Sequence, residues 1–459
     1  MTRRLAWIRP DILFLAFAPI MGLACLVLTP PFQVADEPSH FFRILQVADG
    51  GIVGERRGAE SGGELPTGLI AMAGHFFDGN PASGEVRWER SKWASVKPYL
   101  TQRMDLSARQ FWSFRTIYAP AVYLPQVVGV WIARALDLPP LWLVYAGRFC
   151  ALAFFIWLVH GAIRRTPVCP WGFTVLALLP AVMFQAASLS ADSTTNALLF
   201  FFTAEAFRLA FAAPAVSRRE TAVLILLGIL IGLCKSVYVL ALGLVFLIPP
   251  AKFGGRRGWG VACAAVVASG LLSAAGWSAL MKPTYVPSFA DVDEWAQVAY
   301  MLHEPLRFPS LLVGRILRSF RYLFLGGGLG IFHEFVGLLG WYAACVNLGQ
   351  ICFAALFWCA IAEKNDQIDV REWHRWLVGL VLAGSVVAIA AVHYITWCAP
   401  GWPALALFGR YFHPIAPMAF LLLHNRSFRV QAAEKWRGLI PVYFIGVAVA
   451  TAYVIAKTY

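Results

Sequence analysis

Apolar runs separated by short polar clusters recur along almost the whole chain. They predict membrane spans at residues 11–29, 141–162, 171–189, 193–211, 221–234, 237–248, 259–280, 335–361, 376–395, 411–423 and 439–456, since a helix needs about 20 apolar residues to cross a bilayer. Several of these runs are shorter than that. A further apolar stretch, 117–136, carries Pro120 and Pro125, which interrupt helical hydrogen bonding, and is read as re-entrant or juxtamembrane. Roughly eleven crossings result.

Basic residues orient the spans. Arg3, Arg4 and Arg9 place the N-terminus in the cytoplasm. If 117–136 does not cross, Arg164/Arg165, Arg218/Arg219, Lys252/Arg256/Arg257, Lys364/Arg371/Arg375 and Arg426/Arg429/Lys435/Arg437 all fall inside as well. The chain is then one polytopic domain, 1–459, with outer segments at 30–116, 281–334 and 396–410. The first, at roughly 85 residues, exceeds what a connector needs and is expected to be partly ordered and to carry function. It opens with a juxtamembrane helix at 38–49, started by Pro38, ended near Gly50, and striped with Phe41, Ile44, Leu45 and Ala48. In the second, Arg315, Arg318 and Arg321 recur among apolar residues, the pattern of an interfacial helix with its basic side toward lipid headgroups or phosphates.

Composition agrees with this reading: 59% of residues are hydrophobic and 14% charged, against about a quarter charged in soluble domains. The formal charge of +13 follows the loops between apolar runs, so it reflects membrane orientation and not a nucleic-acid partner. Nine scattered cysteines show no paired metal-type spacing and read as packing residues.

The candidate chemistry lies at the outer ends of the spans. Asp36 and Glu37 directly follow the first apolar run, with His40 and Arg43 sharing a face of the helix behind them. Capping of that helix by the acidic pair is one reading; a carboxylate held as a general base by its charged neighbours is the sharper one. Asp192, in FQAASLSADSTTN, is either a helix cap or a second functional acid. Lys235, in LIGLCKSVYVL with Tyr238, breaks an apolar run, and an ionisable residue there either snorkels or serves a site. Arg410 and Tyr411, in LFGRYFHPIAP, complete the substrate-binding candidates, because a guanidinium suits a phosphate. A base, a second acid and several cations at one membrane face fit transfer chemistry on a lipid-linked phosphate.

The segments VADEPSHFFR, QAASLSAD, CKSVYVL and GRYFHPIAP occur in this order over nearly the whole chain. Together they resemble a family of bacterial polytopic membrane proteins of unknown function with a DEPxHF first outer loop, itself similar to the GT-C glycosyltransferases. That resemblance implies an all-α GT-C-like bundle of about 11–13 transmembrane helices. It implies a bacterial cytoplasmic (inner) membrane enzyme, active on the periplasmic or extracellular side, that passes a sugar from a polyprenyl-phosphate donor to an acceptor. By this analogy Asp36 is the catalytic base with Glu37 its neighbour or substitute, Asp192 is a second acid, and Arg410 and Lys235 hold the lipid phosphate. The pair is DE and not DxD, so no cofactor is called for and a divalent cation stays open. With one last span before Tyr459, a glycan or lipid acceptor is favoured over a protein. A carrier or flippase of lipid-linked saccharide, an oligosaccharide polymerase or ligase, and a scaffold without chemistry are the alternatives. Convergence of Asp36, Asp192, Lys235 and Arg410 favours transfer, and dispersal along a central path favours transport.

Overall fold

The computed structural model describes residues 9–77, 88–287, 289–326, 328–340, 343–363, 365, 367–424 and 439–459. Arg3, Arg4, Lys364, Arg426, Arg429, Lys435 and Arg437 of the orientation argument lie outside these. The described chain is mostly helical. Among the described residues, five helices are long and apolar enough to cross a bilayer: Pro10–Leu28, Leu141–Arg165, Arg256–Thr284, Glu372–Trp397 and Ile440–Thr458. The first starts on Pro10, where the missing N–H costs nothing, and its 19 residues span about 28 Å, close to a hydrocarbon core. It packs on Leu141–Arg165 and on Ile440–Thr458.

Other predicted spans differ in form. The run at 171–189 is two helices, Pro170–Ala177 and Pro180–Ala186, because Pro180 can start a helix but cannot continue one. Ala191–Phe207 and Arg218–Cys234 are regular helices of 17 residues each. Ser236–Leu247 is a 3₁₀ segment. The run at 335–361 is broken: Ile331–Gly337 is followed by a two-stranded ladder, Leu338–Leu339 against Ala343–Ala344, before Val346–Ala362 begins. Residues 411–423 hold 3₁₀ turns and the short helix Ala419–Leu423. Leu124–Ala135, at about 18 Å, is too short to cross.

Close helix packing uses small residues. Gly228 and Gly232 face Gly270, and a Cβ on Gly232 would lie 2.3 Å from the Gly270 carbonyl, so Arg218–Cys234 and Arg256–Met281 approach to backbone contact. Ser269 and Ser273 donate across that seam to the carbonyls of Ile225 and Ile229, each at 3.1 Å.

The segment after the first span is built on Glu37–Ala48, which is buried on nearly all sides. Beside it lies an antiparallel sheet in the order β1 (Glu55–Arg57), β2 (Glu60–Pro66), β3 (Arg109–Ser113). Gly62 pairs with Ser113 and Pro66 with Arg109. This sheet is an addition to the all-α expectation. Its strands are short, and β2 and β3 lie more than forty residues apart, so no local alternation announces the pairing.

Candidate functional site

Asp36 sits at the turn into the Glu37–Ala48 helix with φ +64, a left-handed conformation that aspartate tolerates better than most residues. Its side chain makes no capping hydrogen bond. Instead Asp36 Oδ2 accepts from Arg410 Nη2 at 2.6 Å, across 374 residues of sequence. The capping alternative also fails for Asp192: Ser190 caps the Ala191–Phe207 helix, accepting from the Asp192 amide at 3.1 Å. The Asp192 carboxylate is thereby left to pair with Lys235 Nζ. Lys235 itself marks the break between the Arg218–Cys234 helix and the 3₁₀ segment.

Tyr411 joins the two ion pairs. Lys235 Nζ lies 4.8 Å and Arg410 Cζ 5.2 Å from the centroid of its ring, and Arg410 Nη2 donates to its hydroxyl at 3.2 Å. Tyr238 Oη donates to the Tyr411 carbonyl at 2.9 Å and fixes that turn. Tyr118 covers Lys235 from another side at 5.6 Å, and the His393 ring packs on Tyr411 at 4.2 Å. Four segments far apart in sequence thus place Asp36, Asp192, Lys235, Arg410 and Tyr411 together. The Asp36 and Arg410 side chains keep 28% and 15% of their exposure, so the cluster is not sealed.

His40 belongs to the same neighbourhood. Its Nδ1 lies 2.7 Å from Tyr123 Oη and its ring packs on Tyr118. Burial pushes the imidazole down to about 4, against the pull of Asp36 and Asp192, so it is neutral near pH 7. Burial also pushes the Asp36 carboxyl up, but Arg410, then His40 and Arg115, outweigh it and hold the group below the usual carboxylate range. Arg115 stacks on Trp397 at 4.8 Å and, among the described residues, has no ion-pair partner.

Two expected site residues are elsewhere. Glu37 points away from Asp36 into the protein and is fully buried with Arg148. Its carboxylate accepts four bonds: from Arg148 Nε (2.8 Å) and Nη2 (2.5 Å), and from the Leu189 (3.1 Å) and Phe32 (2.9 Å) amides. Arg148 gives its remaining N–H groups to the carbonyls of Leu26, Thr29 and Pro30. With every donor and acceptor matched, the Glu37 carboxylate is held at the first-span exit, apart from the Asp36 cluster. Arg43 is likewise turned into the protein. Its guanidinium is buried and donates to Gln46 Oε1 and to the carbonyls of Tyr118 and Ile52, so it holds loop backbone.

Arg148 was not singled out in the sequence, although an arginine in the middle of an apolar run is a signal for a buried partner. Glu334 was also missed. It accepts the Gly409 amide at 2.8 Å and positions the turn that presents Arg410. Gly409 packs so closely there that a Cβ would lie 2.3 Å from the Ile331 carbonyl oxygen and the Phe335 nitrogen. Tyr118 and Tyr123 carried no signal beyond their polar tips. For metal, the described residues contain no group of three or more histidine, cysteine or acidic side chains suited to hold an ion.

Several spanning helices around a buried yet accessible set of opposed charges define a polytopic membrane-embedded protein. Comparison with protein families places it further: the chain belongs to the predicted membrane protein family DUF2142, which matches residues 19–419 and so takes in the whole cluster. No curated protein and no solved structure matches the chain.

Proposed function

We propose that this protein is a GT-C-type glycosyltransferase that moves a sugar from a polyprenyl-phosphate-linked donor to a glycan or lipid acceptor at the outer face of a bacterial inner membrane. The observation that carries the reading is the joining of Asp36–Arg410 and Asp192–Lys235 around Tyr411, which sets a carboxylate beside cations suited to a phosphate. Arg410 pairs with Asp36. A donor phosphate competes for that guanidinium, with Lys235 and Arg115 adding charge, and frees the Asp36 carboxylate. Asp36 then takes the proton of the acceptor hydroxyl as its oxygen bonds to the anomeric carbon. The bond from that carbon to the phosphate oxygen breaks, and the polyprenyl phosphate leaves with the electron pair, held by Arg410 and Lys235. Asp192 keeps Lys235 charged and aimed at Tyr411. No step here calls for a divalent cation.

The test is transfer of radiolabelled sugar from a panel of polyprenyl-phosphate sugars by purified protein in lipid, wild type beside Asp36→Asn. Label reaching an acceptor only with wild type supports the reading. Unconsumed donor whose label changes leaflet in sealed vesicles would replace it with a carrier.

A further inference from the structure

The Arg307–Leu325 helix has three distinct faces. Phe308, Leu312, Ser319 and Leu323 are buried against the protein. Val313, Leu317, Phe320 and Phe324 recur at i, i+4, i+7 and i+11, form one stripe, and are exposed. Arg307, Arg318 and Arg321 are exposed along the neighbouring stripe, and no acidic residue occurs in the helix. Among the described residues, Arg318 and Arg321 have no ion-pair partner. In a membrane protein, an uncovered apolar stripe flanked by cations matches the boundary between acyl chains and anionic headgroups.

The buried face connects this helix to the site. Arg315 donates to the Leu407 carbonyl at 3.2 Å and approaches Glu334 at 3.5 Å, and Glu334 holds the Gly409 amide beside Arg410. Ser319 Oγ accepts the Ile331 amide at 3.1 Å, securing the short helix that carries Glu334.

We propose that the Arg307–Leu325 helix is a seat for anionic phospholipid, with Val313, Leu317, Phe320 and Phe324 among the acyl chains and Arg318 and Arg321 on the headgroup phosphate, and that its seating steadies the Gly409–Arg410 turn through Arg315 and Glu334. This inference is independent of the transfer reading. The same surface could otherwise take a second copy of the chain, but the continuous basic flank without acids complements an anionic surface and not itself.

The experiment uses the full chain in nanodiscs of phosphatidylcholine with and without phosphatidylglycerol, compared with the double variant Arg318→Gln/Arg321→Gln. Retained lipid is read by native mass spectrometry and amide exchange at 409–412 by hydrogen–deuterium exchange. Wild type should retain phosphatidylglycerol over phosphatidylcholine, falling about fivefold per arginine removed, and phosphatidylglycerol should slow exchange at 409–412 only in wild type. Arg318→Lys/Arg321→Lys, which keeps the charge, should restore both, separating lipid binding from misfolding. Equal lipid retention by wild type and the Gln variant overturns the proposal. So does displacement of the lipid by inorganic phosphate, or a dimer that Leu317→Ser dissociates.

Discussion

Asp36 and Glu37 are neighbours in sequence with opposite fates. Glu37 meets Arg148 in a pair with no exposure on either side chain, and every polar atom of both is matched. Asp36 meets Arg410 in a pair that remains partly open, and the buried Arg410 Nε has no hydrogen-bond partner among the described residues. A fully matched buried pair has one arrangement and strongly resists losing a partner, whereas a partly open pair can exchange one partner for a ligand. The left-handed turn at Asp36 produces this split by sending successive side chains in different directions. The first carboxylate therefore stays partly accessible, as the proposed transfer requires, and the second holds the loop that presents it.

The largest expected effect separates the two by activity. Asp36→Asn should lower sugar transfer by about 10²- to 10⁴-fold while thermal unfolding in detergent stays near wild type. Next comes stability. Glu37→Gln or Arg148→Met should each cost about 3–5 kcal/mol, because each leaves a buried partner uncompensated, and the Glu37→Leu/Arg148→Met double variant should recover part of that loss. If Glu37→Gln instead melts like wild type and abolishes transfer, the two roles are exchanged. A smaller effect falls on the donor: Arg410→Ala should weaken binding of a polyprenyl phosphate by roughly 10- to 100-fold, the range of one or two charged hydrogen bonds.

The smallest concerns pH. His40 is held neutral to about 4 in the folded protein, while an unfolded histidine takes up its proton near 6.5. Below that pH the unfolded chain binds more protons than the folded one, so the stability due to the neutral imidazole is complete above 6.5 and is lost as pH falls through 4. His40→Asn should flatten melting temperature against pH across this interval. An unchanged slope would locate the effect in other groups.

Much of the frame could be read along the chain. Among the described residues, the five helices able to cross a membrane fall on predicted apolar runs, since span length and apolarity are local properties. A helix directly after Asp36 and another through Arg315–Arg321 were also legible, because Pro38 and the apolar periodicity are local as well. The departures arise where a local signal competed with a distant one. The run at 171–189 is mostly apolar, yet Pro180 splits it, and the run at 335–361 gives way to a strand pair turning at Gly340, φ +83. The short sheet at 55–66 and 109–113 has no periodicity long enough to detect.

The sequence by itself determined that the chain lies in a membrane, where its longest spans run, and that several of its ionisable residues are too costly to be incidental, because burying charge and exposing apolar surface are penalties set residue by residue. Only the tertiary structure decided the partners. Asp36 with Arg410, Asp192 with Lys235, Glu37 with Arg148 and Arg43 with backbone carbonyls are long-range or side-chain-specific choices. Any buried carboxylate needs a cation, and several cations were equally suitable in composition. Which one it receives depends on how the helices pack and on the direction each backbone turn gives its side chain.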